Sequence, residues 1–249
     1  MRKKGYNKTA AAVLIAAFWL AVWQTASLAV NNPLYLPAPA ETAAALSALV
    51  STGGFWISVM FTLLRVTLGL LISFVLGIAF ACLASRSRIV LSLLRPFVAA
   101  VKSTPVVSVI VLALVYFNSS FVPVFACVLM CFPIFYTNTL SGIRSVDRNL
   151  LEMAAVFDIS AKRIFTGIGI PSVMPHVYSA LSVCLGFSWK SVVAAEVIST
   201  TRYSMGYNLY ATKLYLDTAG LFAWTVAIII ISIAIERLMK RALPKGGTL

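Results

Sequence analysis

Six apolar runs, each long enough to cross a bilayer, set what this chain can fold into. They cover about 9–30, 56–84, 91–117, 121–143, 174–199 and 219–239. A hydrocarbon core of roughly 30 Å needs about 20 helical residues. Backbone in lipid must bond to itself, which excludes open sheets and leaves helices. The expected fold class is therefore an all-α integral membrane protein with about six transmembrane helices, forming one domain over 1–249. The mean hydropathy of +0.96 and the 61% hydrophobic content lie outside the soluble range. The third run is the most interrupted. Arg95, Pro96, Lys102 and Pro105 break its first half, so its buried part is expected to begin near Pro105.

Charge placement orients the spans. Four basic groups fall on one side of a six-span arrangement. They are Arg2, Lys3, Lys4 and Lys8; Arg86 and Arg88; Arg144, Arg148, Lys162 and Arg163; and Arg237, Lys240, Arg241 and Lys245. The opposite side has a 31–55 segment without Lys or Arg, an Asn118-Ser119-Ser120 turn, and a loop with Arg202 and Lys213. The positive-inside rule then puts both termini in the cytoplasm. The net charge of +13 is accounted for by topology, so the expected partner is the lipid bilayer and not a nucleic acid. The basic Met1–Lys8 followed by an apolar stretch has the outline of a signal peptide. Trp19, Trp23 and the continuation to Val30 argue instead for an uncleaved first span.

No catalytic set is visible. The chain has one histidine, His176, and no GxxxxGK followed by Ser or Thr, so it should not hydrolyse ATP alone. Cys82, Cys127, Cys131 and Cys184 all fall inside spans and read as small apolar residues. Catalytic, cofactor-binding and metal-binding residues are accordingly expected to be absent.

Charges within spans are costly and usually face protein or water. Lys102 lies near a span boundary and can snorkel. Arg65, Gly69, Ser73, Gly77 and Ala81 recur every four positions and form a narrow stripe suited to close helix packing. Arg65 lies roughly 12 Å into the second span at the helical rise. Lys190 and Glu196 share the fifth span but lie about 240° apart around it, so they cannot pair on one face. Arg65 and Glu196 reach matched depth. Either they pair, or each is satisfied by backbone carbonyls or water. Arg65, Lys190 and Glu196 are thus candidate pathway or structural charges.

One polar gap differs from the others. The stretch EMAAVFDISAKRIFTGIGIP, Glu152–Pro171, looks like two small helices from a soluble protein. Leu150–Phe157 favours a short helix with Glu152 in its first turn. Asp158 interrupts it and is a good N-cap for a second helix starting at Ile159 or after Ser160. Gly167 and Gly169 loosen that helix and Pro171 is expected to stop it. The elbow exposes Glu152, Val156, Phe157 and Ile159, an apolar knob that wants a protein groove.

The stretch resembles the EAA loop in permease subunits of bacterial binding-protein-dependent ABC importers, which reads E-A-A-x-x-x-G and then I-x-L-P. Glu152, Ala154, Ile168 and Pro171 match. Met153 and Asp158 depart from the pattern, and Asp can take the left-handed turn that glycine serves. Other elements follow in order: Leu36-Pro37-Ala38-Pro39, Thr62-Leu63-Leu64-Arg65-Val66 with Gly69, Arg95-Pro96, Thr104-Pro105 and Gly142-Ile143-Arg144-Ser145-Val146-Asp147. Trp189, Ala194-Ala195-Glu196 and Gly206-Tyr207 complete the series. It is most similar to the nitrate, sulfonate, taurine and thiamine-precursor branch. Val115-Tyr116-Phe117-Asn118 departs where that branch carries W-F-G.

The resemblance implies a non-catalytic permease subunit in the bacterial cytoplasmic membrane. The 144–171 segment would be its coupling loop, with Glu152, Met153, Ala154, Ala155, Phe157, Asp158, Ile159, Ile168 and Pro171 meeting the ATPase. It implies a second permease chain, most simply the same one, two cytoplasmic ATPase copies that bind ATP and Mg, and an extracytoplasmic substrate-binding protein. The alternative from another class is an ion-coupled secondary transporter using Lys190 and Glu196.

Overall fold

The computed structural model describes residues 8–242. Arg2, Lys3, Lys4 and Lys245, which entered the orientation reading, lie outside the described residues. Among the described residues the regular structure is helical. In chain order it comprises α1 Lys8–Val30, α2 Pro39–Val50, α3 Gly53–Arg86, α4 Arg88–Ser103, α5 Val106–Tyr116 and α6 Val122–Arg144. Then come α7 Arg148–Val156, α8 Ala161–Ile164, α9 Ile170–Ser199, α10 Met205–Leu214 and α11 Thr218–Ala242. A π-helical turn, Phe165–Gly169, joins α8 to α9.

Five of the six expected spans are single helices: α1, α3, α6, α9 and α11. The third is not. It is the pair α4 and α5, which meet at 106°. Pro105 causes the bend, because its ring drives Thr104 out of the helical region. Pro96, expected to be a second breaker, is accommodated inside α4. It and Ser92, whose carbonyl it leaves unbonded, both lie on the exposed side of that helix.

The bent pair still makes a crossing. Gly69 of α3 meets Val124 and Cys127, and Gly77 meets Phe135 and Tyr136, so α3 and α6 run parallel. Two parallel neighbours need a return crossing between them, and only 88–116 can supply it. Contacts agree. Val90, Leu91 and Val98 pack with Ala84 and Leu140 at the basic end, whereas Ile110 and Ala113 pack with Val122 and Ala195 at the opposite end. Helix α9 runs antiparallel to α6: Cys131 faces Cys184, and Gly142 lies under His176.

The core is built by α3, α6 and α9. The stripe Arg65, Gly69, Ser73, Gly77 and Ala81 is buried, as small residues at a close helix crossing should be. A Cβ on Gly77 would run into the Cβ of Phe135 and come within 3.1 Å of the Tyr136 backbone nitrogen. Gly77→Ala is therefore expected to push α3 off α6 and cost about 1–3 kcal/mol. Thermal unfolding in detergent, read beside Gly53→Ala at a position with open space, checks this.

Candidate functional site

Two features collect the singled-out residues. The first is buried between α3 and α9. Arg65 Nη1 donates to Glu196 Oε1 at 2.9 Å, and Glu196 is 0% exposed. The pairing left open by matched depth is thus the arrangement adopted. Glu196 also accepts from the Thr62 hydroxyl at 3.0 Å and from the Gly206 N–H at 3.2 Å. Thr62 in turn accepts from the Met205 N–H at 3.1 Å. Arg65 also donates to the carbonyls of Arg202, at 3.2 Å, and Tyr203, at 3.3 Å.

This network ties two helices to the 200–206 loop. The loop needs the tie, because Thr200 and Tyr203 hold positive φ of 47° and 53°. Gly206 is obligatory there, since a Cβ would collide with the Glu196 side chain and approach the Val193 carbonyl within 2.7 Å. A buried ion pair with further hydrogen bonds to the loop joins these segments, and removing one partner is costly. Thr62 and Gly206 were not read from the sequence as its members. The available signal was Thr62 lying one helical turn before Arg65 on the same face. Lys190 takes no part in the network. It is exposed on α9, on a face shared with Val183, Phe187 and Ala194.

The second feature is the elbow at the basic end. Asp147 caps α7 by accepting from the Asn149 N–H at 2.9 Å. Glu152 therefore falls in the second turn, not the first. Ala154 is buried. Glu152, Met153, Ala155, Val156 and Phe157 are exposed, with Val156 at 79% and Phe157 at 72%. Ile159, expected to be exposed, is half-buried.

Asp158 has φ 49° and ends α7 instead of starting the next helix. Its N–H bonds the Ala155 carbonyl at 3.2 Å and the Ile159 N–H bonds the Ala154 carbonyl at 3.0 Å, the paired bonds of a Schellman motif. Ser160 is the N-cap residue of α8. A β-branched side chain in this left-handed position is strained. Asp158→Val is expected to destabilise the elbow by about 1–2 kcal/mol, and Asp158→Gly to preserve or strengthen it. Amide hydrogen exchange across 148–160 distinguishes the two.

Pro171 does not stop a helix. The backbone runs continuously from Ala161 to Ser199. The π turn before Pro171 already replaces the regular bonding pattern, with the Ile170 N–H reaching back to the Phe165 carbonyl. Ile168, half-buried in that turn, accepts from the Ser172 hydroxyl at 2.7 Å. His176, whose position the sequence left without a role, lies 3.2 Å from the Ser145 hydroxyl and joins the base of the elbow to α9.

A membrane bundle with an apolar elbow outside its spans, held on α6 and α9, is the architecture of a transport permease. Residues 73–245 match the family described as binding-protein-dependent transport system inner membrane component, and the chain belongs to that family. It is the permease subunit of an ABC importer. The family assignment removes the ion-coupled carrier, and Glu196 is in any case already neutralised by Arg65.

Among its relatives, a probable ABC transporter permease protein of Brucella melitensis is 29% identical over 239 residues, covering 96% of this chain and 94% of that one. The putative aliphatic sulfonates transport permease protein SsuC of Bacillus subtilis is 25% identical, covering 94% and 86%. The taurine transport system permease protein TauC of Escherichia coli is 24% identical, covering 93% and 88%. A bacterial alginate ABC transporter, solved with an alginate pentasaccharide-bound periplasmic protein, contains a chain with the same fold. The TM-score is 0.62 at 16% identity, with 96% of each chain covered.

Proposed function

We propose that this chain, a single permease domain over 1–249, forms half of a translocation pathway and is driven through its elbow. Two copies would assemble as a homodimer in the bacterial cytoplasmic membrane, with the basic end and both termini in the cytoplasm. Two ATPase subunits, which bind ATP and Mg and carry out all hydrolysis, would seat on the paired 144–171 coupling loops. A substrate-binding protein would deliver a small solute to the opposite face. The sulfonate and taurine permeases among the relatives favour a sulfonate-like solute.

The observation that carries this reading is the exposed Met153, Val156 and Phe157 patch on α7, at the end of the bundle where Arg86, Arg144 and Arg148 cluster. Apolar side chains this exposed outside the spans fit a protein groove. Nucleotide-driven closure of the ATPases would move α7, and the continuous Ala161–Ser199 helix would carry that motion into the core. Purification in mild detergent from the bacterial host tests the reading. Wild type should bring down an ATP-binding subunit, and Glu152→Arg should recover much less. Wild type recovered without any such subunit would sink the proposal.

A further inference from the structure

We propose that the groove between α4 and α6, continued onto the open face of α9, is a track for a small organic anion. Its cations are Arg144, Arg95, Lys102 and Lys190, and the Tyr136 hydroxyl is its neutral donor. The inference deepens the transport reading above by naming the residues that would carry an anionic solute, and it rests on that reading.

Two clefts adjoin at Lys102. One, of about 330 Å³, is walled by Arg95, Tyr136, Thr137 and Arg144. The other, of about 340 Å³, is walled by Thr104, Met130, Pro133 and Phe187. Each holds a small organic solute, and neither is lined by Asp or Glu. Pro133 lies midway along α6, so the second cleft reaches the middle of the membrane. Lys190 follows Phe187 by one turn on the same exposed face of α9. Cations therefore run from the basic end to a point past the midplane.

Three observations say that this surface is not left to lipid. Among the described residues, none of the four cations has a carboxylate partner; the ion pair found there is Arg65–Glu196. A cation held in mid-span, as Lys190 is, faces water or protein because lipid would cost it about 2.5–3.5 kcal/mol. Tyr136 is buried at 3% exposure, lines the first cleft, and its hydroxyl has no hydrogen-bond partner. An anionic oxygen would accept that proton donor and lie beside the Arg95 and Arg144 charges. The Thr104 hydroxyl continues the polar lining at the bend. A cleft of one charge sign with low-dielectric walls concentrates its counter-ion roughly ten- to a thousand-fold.

The test uses the full chain in membrane vesicles with Cys82, the exposed cysteine, changed to Ser; Cys127, Cys131 and Cys184 are buried. Phe187→Cys is then labelled with the anionic probe methanethiosulfonate ethylsulfonate and with its cationic trimethylammonium counterpart. Each rate is normalised to that with a free thiol in water. Val75→Cys, on the outer face of α3, should react with neither. The expected result is that the thiol introduced by Phe187→Cys reacts with both and prefers the anionic probe. Lys102→Gln with Lys190→Gln should lower that preference about tenfold, the low end of such counter-ion focusing. Lys102→Arg with Lys190→Arg should keep it. If the double Gln variant fails to insert, Lys190→Gln is read against Lys190→Arg in the same way.

An unchanged preference in the Gln variants overturns the proposal. So does a Phe187→Cys thiol that neither probe reaches; Arg95 and Arg144 would then hold an anionic lipid headgroup, which cannot reach that depth. The labelling needs no ATPase. Loss of ATPase recovery with the preference intact would therefore remove the coupling reading and leave the cationic track standing.

Discussion

Glu196→Ala is expected to cost the folded chain about 3–5 kcal/mol, the range for stranding one half of a buried ion pair. For a chain of this size that is roughly a 10 °C fall in melting temperature. Arg65 would be left between α3 and α9 with the Arg202 and Tyr203 carbonyls and the Phe61 ring, and without a carboxylate. Thr62 and the Gly206 N–H would lose their acceptor in the same step. Arg65→Ala should cost less, because the carboxyl keeps Thr62 and Gly206 and can take up a proton. The double variant should be less harmful than the sum of the singles by more than about 0.5 kcal/mol, the margin within which independent sites add. Thermal unfolding in one detergent, with all variants side by side, measures the cycle. Additive losses would mean that the two charges are satisfied separately, contrary to the 2.9 Å contact.

Phe157→Asp is expected to weaken ATPase binding by about 2 kcal/mol or more, roughly 30-fold, while leaving the fold unchanged. Phe157 and its neighbour Val156 are exposed by 72% and 79%, so they contribute little to the core. A large exposed aromatic in an apolar patch is the type of residue that dominates an interface. Glu152→Arg, a change of charge beside the patch, should act more through association rate and salt dependence. Titration of the purified ATPase against the permease in lipid nanodiscs checks the difference. A Phe157→Asp chain that binds normally, or one that melts early, would remove Phe157 from the interface.

The spans are legible in the sequence because hydrocarbon imposes length and composition on them, and five of six appear as single helices with ends shifted by a few residues. The bend is only half legible. Pro96 and Pro105 look alike in sequence, and their surroundings separate them: Pro96 frees a carbonyl on an exposed face, whereas Pro105 follows a non-helical Thr104. Depth can match Arg65 with Glu196, since rise per residue is fixed. It cannot reveal Gly206, whose amide arrives through a loop with two positive-φ residues. Asp158 looks like a helix start in sequence because Asp caps well, but a residue at positive φ cannot hold the extended N-cap geometry. Pro171 looks like a stop because sequence gives no sign of a π turn. The face that Lys190 occupies follows from helical spacing. Its relation to Lys102 depends on how α4 folds back on α6, which no local pattern encodes.

The elbow is the part of the chain that must meet another protein if transport is driven from outside the membrane. Val156→Cys carrying a benzophenone maleimide, photolysed in membranes of the host and analysed by mass spectrometry, tests this most directly. The expected result is a cross-link from residue 156 to an ATP-binding subunit, in a chain that remains folded because Val156 is largely exposed. Cross-links to lipid or to a second copy of this chain alone would contradict the coupling role of α7.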